Sequence, residues 1–264
     1  TQDTSSAASD VYKRQGLILG FLMLLVKDSP RKNISVRPDS QSFSEIISLL
    51  YKAITTSKSL VFTILAGTLY HVVLGAAQFE VIWAVADKGF NPNTFGQING
   101  WIFVVFGVLG SLFGGIASDW ALKNYGLPRT WFLLILTIIL MPLAFTRYLD
   151  TDNILFWVGI CSSAFSLGCF YGPIFAVIQE LVPSSIKGTV VAFNLLCLNM
   201  LGIASGSILF GIIADYAVAQ GYENPYTNLL VGFSTLFLLL GPLLYYLAGR
   251  YYESDRKKLQ KEFS

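Results

Sequence analysis

Few residues in this chain can carry a charge or a proton inside an apolar run. His71 is its single histidine. It sits about a dozen residues into the apolar run 59–86, which at roughly 1.5 Å per residue places it near the middle of a bilayer. Gly67, Thr68, Gly75 and Gln78 share its helical face, with Thr63 at the margin. A polar stripe on an apolar helix belongs against a cavity or a partner helix rather than lipid. An imidazole titrates near neutral pH, so His71 is either a substrate or proton site or a hydrogen-bonded packing residue. Glu80 is the one carboxylate in the body of a run. Unpaired, it would neutralise and suit a proton carrier; wetted in an outer vestibule, or paired with Lys88, it would be a surface residue.

Tyr171 precedes Gly172 and Pro173 inside the run 154–182. A mid-helix proline leaves a carbonyl without its donor, so cavity water or a neighbouring group must satisfy it. Gly172 and Pro173 are therefore a hinge beside a pore or a static kink. Gln179, Asn194 and Asn199 are amides within apolar runs, placed to face a substrate path or to bond helix to helix. Gly115-x-x-x-Asp119, with Lys123 beyond it, suits a gate, because a carboxylate at a helix end can accept from the N-terminal amides of an adjoining helix. Glu180 and Lys187 flank a short loop and could latch the same side, as an exposed pair contributing about 0–1 kcal/mol.

These side chains have to be positioned by membrane-crossing helices. Charged residues make up 13% of the chain and hydrophobic ones 54%, whereas a soluble domain carries roughly 25% charged. Apolar runs long enough to cross a bilayer recur along the chain, which defines a polytopic all-α membrane protein. Cys161, Cys169 and Cys197 all fall inside apolar runs, with neither metal-site spacing nor a disulfide framework, and no metal or cofactor is expected. The sequence contains no G-x-x-x-x-G-K-(S/T), H-E-x-x-H or G-x-S-x-G, so ATP-driven pumping and familiar hydrolase chemistry gain no support. The expectation is a protein that is not an enzyme and has no nucleic-acid partner.

In chain order, residues 1–15 are polar and end in Ser9-Asp-Val-Tyr-Lys-Arg-Gln15, similar to translated adapter read-through; they read as a non-native leader. Residues 16–26 are apolar but too short to span, and read as the end of a truncated transmembrane helix. Residues 27–58 form a basic linker. Within it, the capping box Ser42-x-x-Glu45 opens an amphipathic helix over 43–56, with Phe43, Ile46, Ile47, Leu50 and Ile54 on its apolar side, suited to the membrane surface. Six spans follow at about 59–86, 94–120, 130–145, 154–182, 186–217 and 226–247, so the six-helix unit covers 59–249 and a charged tail, read as a helical extension, covers 250–264. With the leader set aside, alternating these spans puts nearly all Lys and Arg on one side, leaving only Lys88 and Arg147 on the other. The basic side is therefore expected to be cytosolic, with the C-terminus there.

Asp119 closes the second span on the basic side, and Asp215 closes the fifth on the opposite side, each preceded by Gly-x-x-x. One helix ending in two orientations is what an inverted repeat of three spans predicts. Pro142 and Pro242 recur in the third member of each triplet. Gly107, Ser111, Gly115 and Asp119 share one face of the second span, and Gly110, Gly114 and Ser118 form a row beside it, suited to close helix approach.

Six spans in two inverted triplets resemble one half of a major facilitator superfamily transporter. Gly115-x-x-x-Asp119 is similar to the start of the superfamily's loop signature, with Trp120, Leu122 and Asn124 departing from it and Lys123 keeping a basic position. Pro183-x-x-x-Lys187-Gly188-x-x-x-Ala192 resembles the start of the family's eleventh helix. Within the superfamily, Tyr171-Gly-Pro-Ile-Phe-Ala-Val-Ile-Gln179-Glu-Leu-Val-Pro183 and Phe79-x-x-x-Trp83 with Gly89-Phe90 are similar to spinster-type carriers. The resemblance implies helices seven to twelve, preceded by the end of helix six, with a missing N-terminal six-helix half. It places the partner of Asp119 in that half. It implies a secondary active transporter working by alternating access on a small or amphiphilic organic solute, proton-coupled, with a lysolipid-like substrate. The alternatives are an organic-anion symporter, which would need a cavity cation and finds only His71 here, and a transport-inactive membrane scaffold or receptor.

Overall fold

The structure, a computed structural model, describes residues 42–184 and 186–262. The expected leader, the run 16–26 and the linker as far as residue 41 lie outside the described residues. Within a bilayer every backbone donor and acceptor must be satisfied inside the segment, so apolar runs of this length fold as helices. The described residues form one short helix, α1 (Phe43–Thr56), and six long ones. These are α2 (Lys58–Ala86), α3 (Pro92–Tyr125), α4 (Arg129–Tyr148), α5 (Ile154–Leu181), α6 (Lys187–Ala219) and α7 (Pro225–Glu262).

Their limits follow from local chemistry. Ser57 caps α2, its hydroxyl accepting from the Leu60 amide at 3.1 Å. Asn91 caps α3 through the amides of Asn93 and Thr94, with Pro92 as the first helical residue and Gly126 ending the helix at φ 63°. Asn153 does the same for α5 through Leu155. Two helices are interrupted along their length. A 3-10 turn at Ala77–Phe79 interrupts α2 just before Glu80, and α6 carries a π-helical stretch, Cys197–Ala204. The expected helical extension continues the last span without a break, since α7 runs from Pro225 to Glu262.

Packing confirms two inverted triplets. α3 lies parallel to α5: a Cβ on Gly110 would overlap the carbonyl of Phe165, and one on Gly168 would lie 2.8 Å from the Ser111 amide. α6 lies parallel to α2 in the equivalent way. A Cβ on Gly206 would overlap the carbonyl of Val72, and one on Gly75 would lie 2.8 Å from the Ser207 amide. α4 packs on α5 as α7 packs on α2, and α4 and α7 meet each other. The row Gly110, Gly114 and Ser118 is the buried one; Ser111 and Asp119, in the row beside it, are exposed.

The interior has two apolar clusters, one around Leu60, Ile174, Ile178 and Tyr245 and one around Trp83, Phe95, Phe156 and Phe210. α1 divides its apolar residues. Leu50, Ala53 and Ile54 pack on the first cluster, whereas Phe43, Ile47 and Tyr51 point outward.

Candidate functional site

His71 and Tyr171, singled out separately, are brought together. His71 is buried on α2. Its Nδ1 lies 2.8 Å from the Gly67 carbonyl and its Nε2 lies 3.1 Å from the Tyr171 hydroxyl on α5. A carbonyl only accepts, so Nδ1 carries the proton and neutral Nε2 accepts from Tyr171. Adding a proton at Nε2 would reverse that bond without moving either heavy atom, and would send the tyrosine proton to another acceptor. The rings of Tyr70 and Phe170 pack within 6.0 Å and 5.6 Å of the imidazole. Gly202, in the π-helical stretch of α6, lies against it, since a Cβ there would come 2.5 Å from the His71 Cβ. Pro173 is buried just beyond Tyr171, while Gly172 faces outward beside α3, where an added Cβ would sit 3.3 Å from the Gly115 amide.

Glu80 is neither unpaired nor paired with Lys88. It is buried and forms an ion pair with Arg147, also buried, and its second oxygen accepts from Asn99 at 3.2 Å. Lys88 instead donates to the carbonyls of Tyr148 and Leu149, at 3.3 and 3.0 Å. Arg147 reaches inward because α4 ends in a 3-10 turn, Thr146–Tyr148, laid against Gly159 of α5, where a Cβ would overlap its backbone. Its guanidinium also meets Ser163 at 3.3 Å and stacks over Trp83 and Tyr148, 5.1 and 5.6 Å from the ring centres. The pair borders a cavity of about 80 Å³ that Ser234 and Tyr70 also line.

A second charged group gathers at the end of the bundle where α3 stops and α4 starts, the basic end. Arg129 pairs with Asp119 at 2.6 Å and with Glu180, whose other oxygen accepts from Tyr252 at 2.7 Å. Two expectations change. Among the described residues Glu180 and Lys187 form no ion pair, because Arg129 reaches Glu180 from α4. Asp119 has a partner within this chain: Arg129, at the first turn of the next helix. Gly115 lies beside Gly172, and Lys123 is exposed without an ion pair among the described residues.

The amides do not converge. Gln78, Gln179 and Asn199 are exposed, and Asn199 donates to its own helix at Leu195, at 2.8 Å. Asn194 is fully buried with neither side-chain atom hydrogen-bonded. Arg147, Arg129, Asn99 and Tyr252 were missed as site residues. The available signal for Arg147 was its place as one of two cations on the cation-poor side.

Six helices in two inverted triplets, with glycine-meshed parallel pairs, define one half of a major facilitator fold. The chain belongs to the Major Facilitator Superfamily, whose model matches residues 16–207. No curated protein matches it. Among solved structures it is similar to a bacterial homologue of the human lysosomal transporter Spinster, in an inward-facing and occupied conformation. The TM-score is 0.62 at 14% identity, over 91% of this chain. The chain spans only 56% of that protein.

Proposed function

We propose that the chain is the helix seven to twelve half of a secondary active transporter that moves a small or amphiphilic organic solute by alternating access, with proton coupling. The observation that carries this is the His71–Tyr171 hydrogen bond, which joins the two helices that begin the two triplets, next to Pro173. Protonation there would alter a contact between α2 and α5 at mid-membrane depth. Glu80 enters the same scheme as half of a charge pair rather than as a free carrier. The basic end is cytosolic by its Lys and Arg content, and the Asp119–Arg129–Glu180 group is a latch on that side. A preceding six-helix half completes the solute path, supported by the length of the spinster homologue.

The test is flux driven by a pH gradient in vesicles holding the longer protein. His71→Ala is expected to abolish coupling at normal expression, and the 264-residue chain alone is expected to give no flux. Wild-type pH dependence in His71→Ala would remove it from the proton path, and flux by this chain without dimerisation would refute the half-transporter assignment.

A further inference from the structure

α7 does not stop where its apolar residues stop. It continues through a charged segment whose buried face does something no surface tail needs to do. Asp255, a carboxylate, has 0% exposure. Its Oδ2 accepts from the Ser59 amide at 2.9 Å and from the Ser57 hydroxyl at 3.5 Å. Ser59 and Leu60 are among the first residues of α2, whose opening amides have no partner in their own helix. Ser57 satisfies Leu60, and Asp255 satisfies Ser59 from 196 residues away. Its negative charge lies where the helix dipole favours it.

The contact is reinforced on both sides. The Ser59 hydroxyl donates to the Ala248 carbonyl at 2.8 Å, and the Lys58 ammonium sits 5.1 Å from the centre of the Tyr251 ring. Lys52 of α1 pairs with Glu262 at 2.9 Å. Three residues before Asp255, on the neighbouring position of the same helical face, Tyr252 donates to Glu180, which Arg129 joins to Asp119. A single turn of α7 therefore holds the α1–α2 junction with one residue and the charged latch with another.

We propose that this end of α7 is a clasp that couples the two, so that the latch does not loosen without releasing the start of α2, and the reverse. A helical turn is stiff, and Tyr252 and Asp255 cannot withdraw independently while α7 stays helical. The inference rests on these contacts alone and holds whether or not the longer protein transports.

Amide hydrogen exchange of the 264-residue chain in lipid nanodiscs tests it. Losing a charge-assisted bond to Ser59 should speed exchange at 57–62 by about tenfold in Asp255→Asn. Coupling requires that the same variant also speed exchange at 129–134, where Arg129 begins α4. The milder Tyr252→Phe should do the reverse, speeding 57–62 although it touches neither Ser57 nor Ser59. Glu253→Gln, at an exposed position, should change neither. If Asp255→Asn alters only 57–62 and Tyr252→Phe leaves that segment at the wild-type rate, the contacts are independent and the clasp is refuted. If Asp255→Asn does not fold, Tyr252→Phe alone decides, by the response at 57–62.

Discussion

Replacing Arg147 by methionine breaks an ion pair whose two members are both buried. Glu80 and Arg147 are 6% and 8% exposed, so each ion has lost nearly all of its water. Removing one partner of a buried pair costs about 3–5 kcal/mol, because the other charge is left uncompensated. Asn99 remains to Glu80 and offsets part of that, through one hydrogen bond to a charged group, about 1.5–3 kcal/mol. Stacking over Trp83 and Tyr148 is lost as well, about 0.5–2 kcal/mol for a desolvated cation. The expected net loss is therefore about 3 kcal/mol. Methionine fills much of the same volume, so Glu80→Met combined with Arg147→Met should recover most of it. Reversible unfolding of the chain in mixed micelles, across wild type, both single variants and the double variant, measures the coupling energy. A coupling of about 2 kcal/mol or more is expected. Additive single losses, or an Arg147→Met variant within about 0.5 kcal/mol of wild type, would refute the account of a dry, mutually dependent pair.

Three further outcomes follow from the same geometry. Gly110→Val and Gly206→Val should each destabilise by more than about 3 kcal/mol, since backbone of the facing helix occupies the space, whereas Gly107→Ala, with no atom within 4 Å of its added carbon, should fall within about 0.5 kcal/mol of wild type in the same assay. Tyr171→Phe should cost about 1 kcal/mol and, in the longer protein, shift the pH dependence of flux; an unchanged pH profile would count against His71–Tyr171 as the proton-linked contact. Asp119→Asn, whose side chain is 70% exposed, should cost less than about 1 kcal/mol, while Arg129→Gln, which removes both ion pairs at once and leaves half-buried Glu180 with Tyr252 alone, should cost more; equal losses would show that the charged group is not organised around Arg129.

Much of the architecture was legible because a bilayer imposes it. Each span begins and ends within a few residues of its expected limits, except the last, and α1 matches its expected range of 43–56. The last helix runs on past its apolar limit, as the expected helical extension required, because Arg250 to Glu262 is polar but helix-competent and a hydropathy boundary marks the end of lipid rather than the end of a helix. The repeated Gly-x-x-x-Asp ending announced the inverted triplets, and the glycines named in α3 are those that touch α5. What stayed hidden was pairing. Lys88 is eight residues from Glu80 and looked like its partner, but the side chain that reaches it belongs to Arg147. Lys187 is likewise seven residues from Glu180, but the cation that reaches it is Arg129. The π-helical stretch gave no signal either, since an apolar segment in lipid has little periodicity to reveal a change of helical pitch.

The glycine seams bear on how such a bundle can move. Where backbones touch at these glycines no side chain lies between them to slip or re-pack, so α3 with α5, and α2 with α6, behave as two beams, each pinned at several points along its length. Bending within either beam would open voids along its whole length. Large rearrangements are then confined to the outer faces of the beams, and on the transport reading proposed above a change in the shape of a solute passage comes from shifting one beam against the other or against whatever stands opposite.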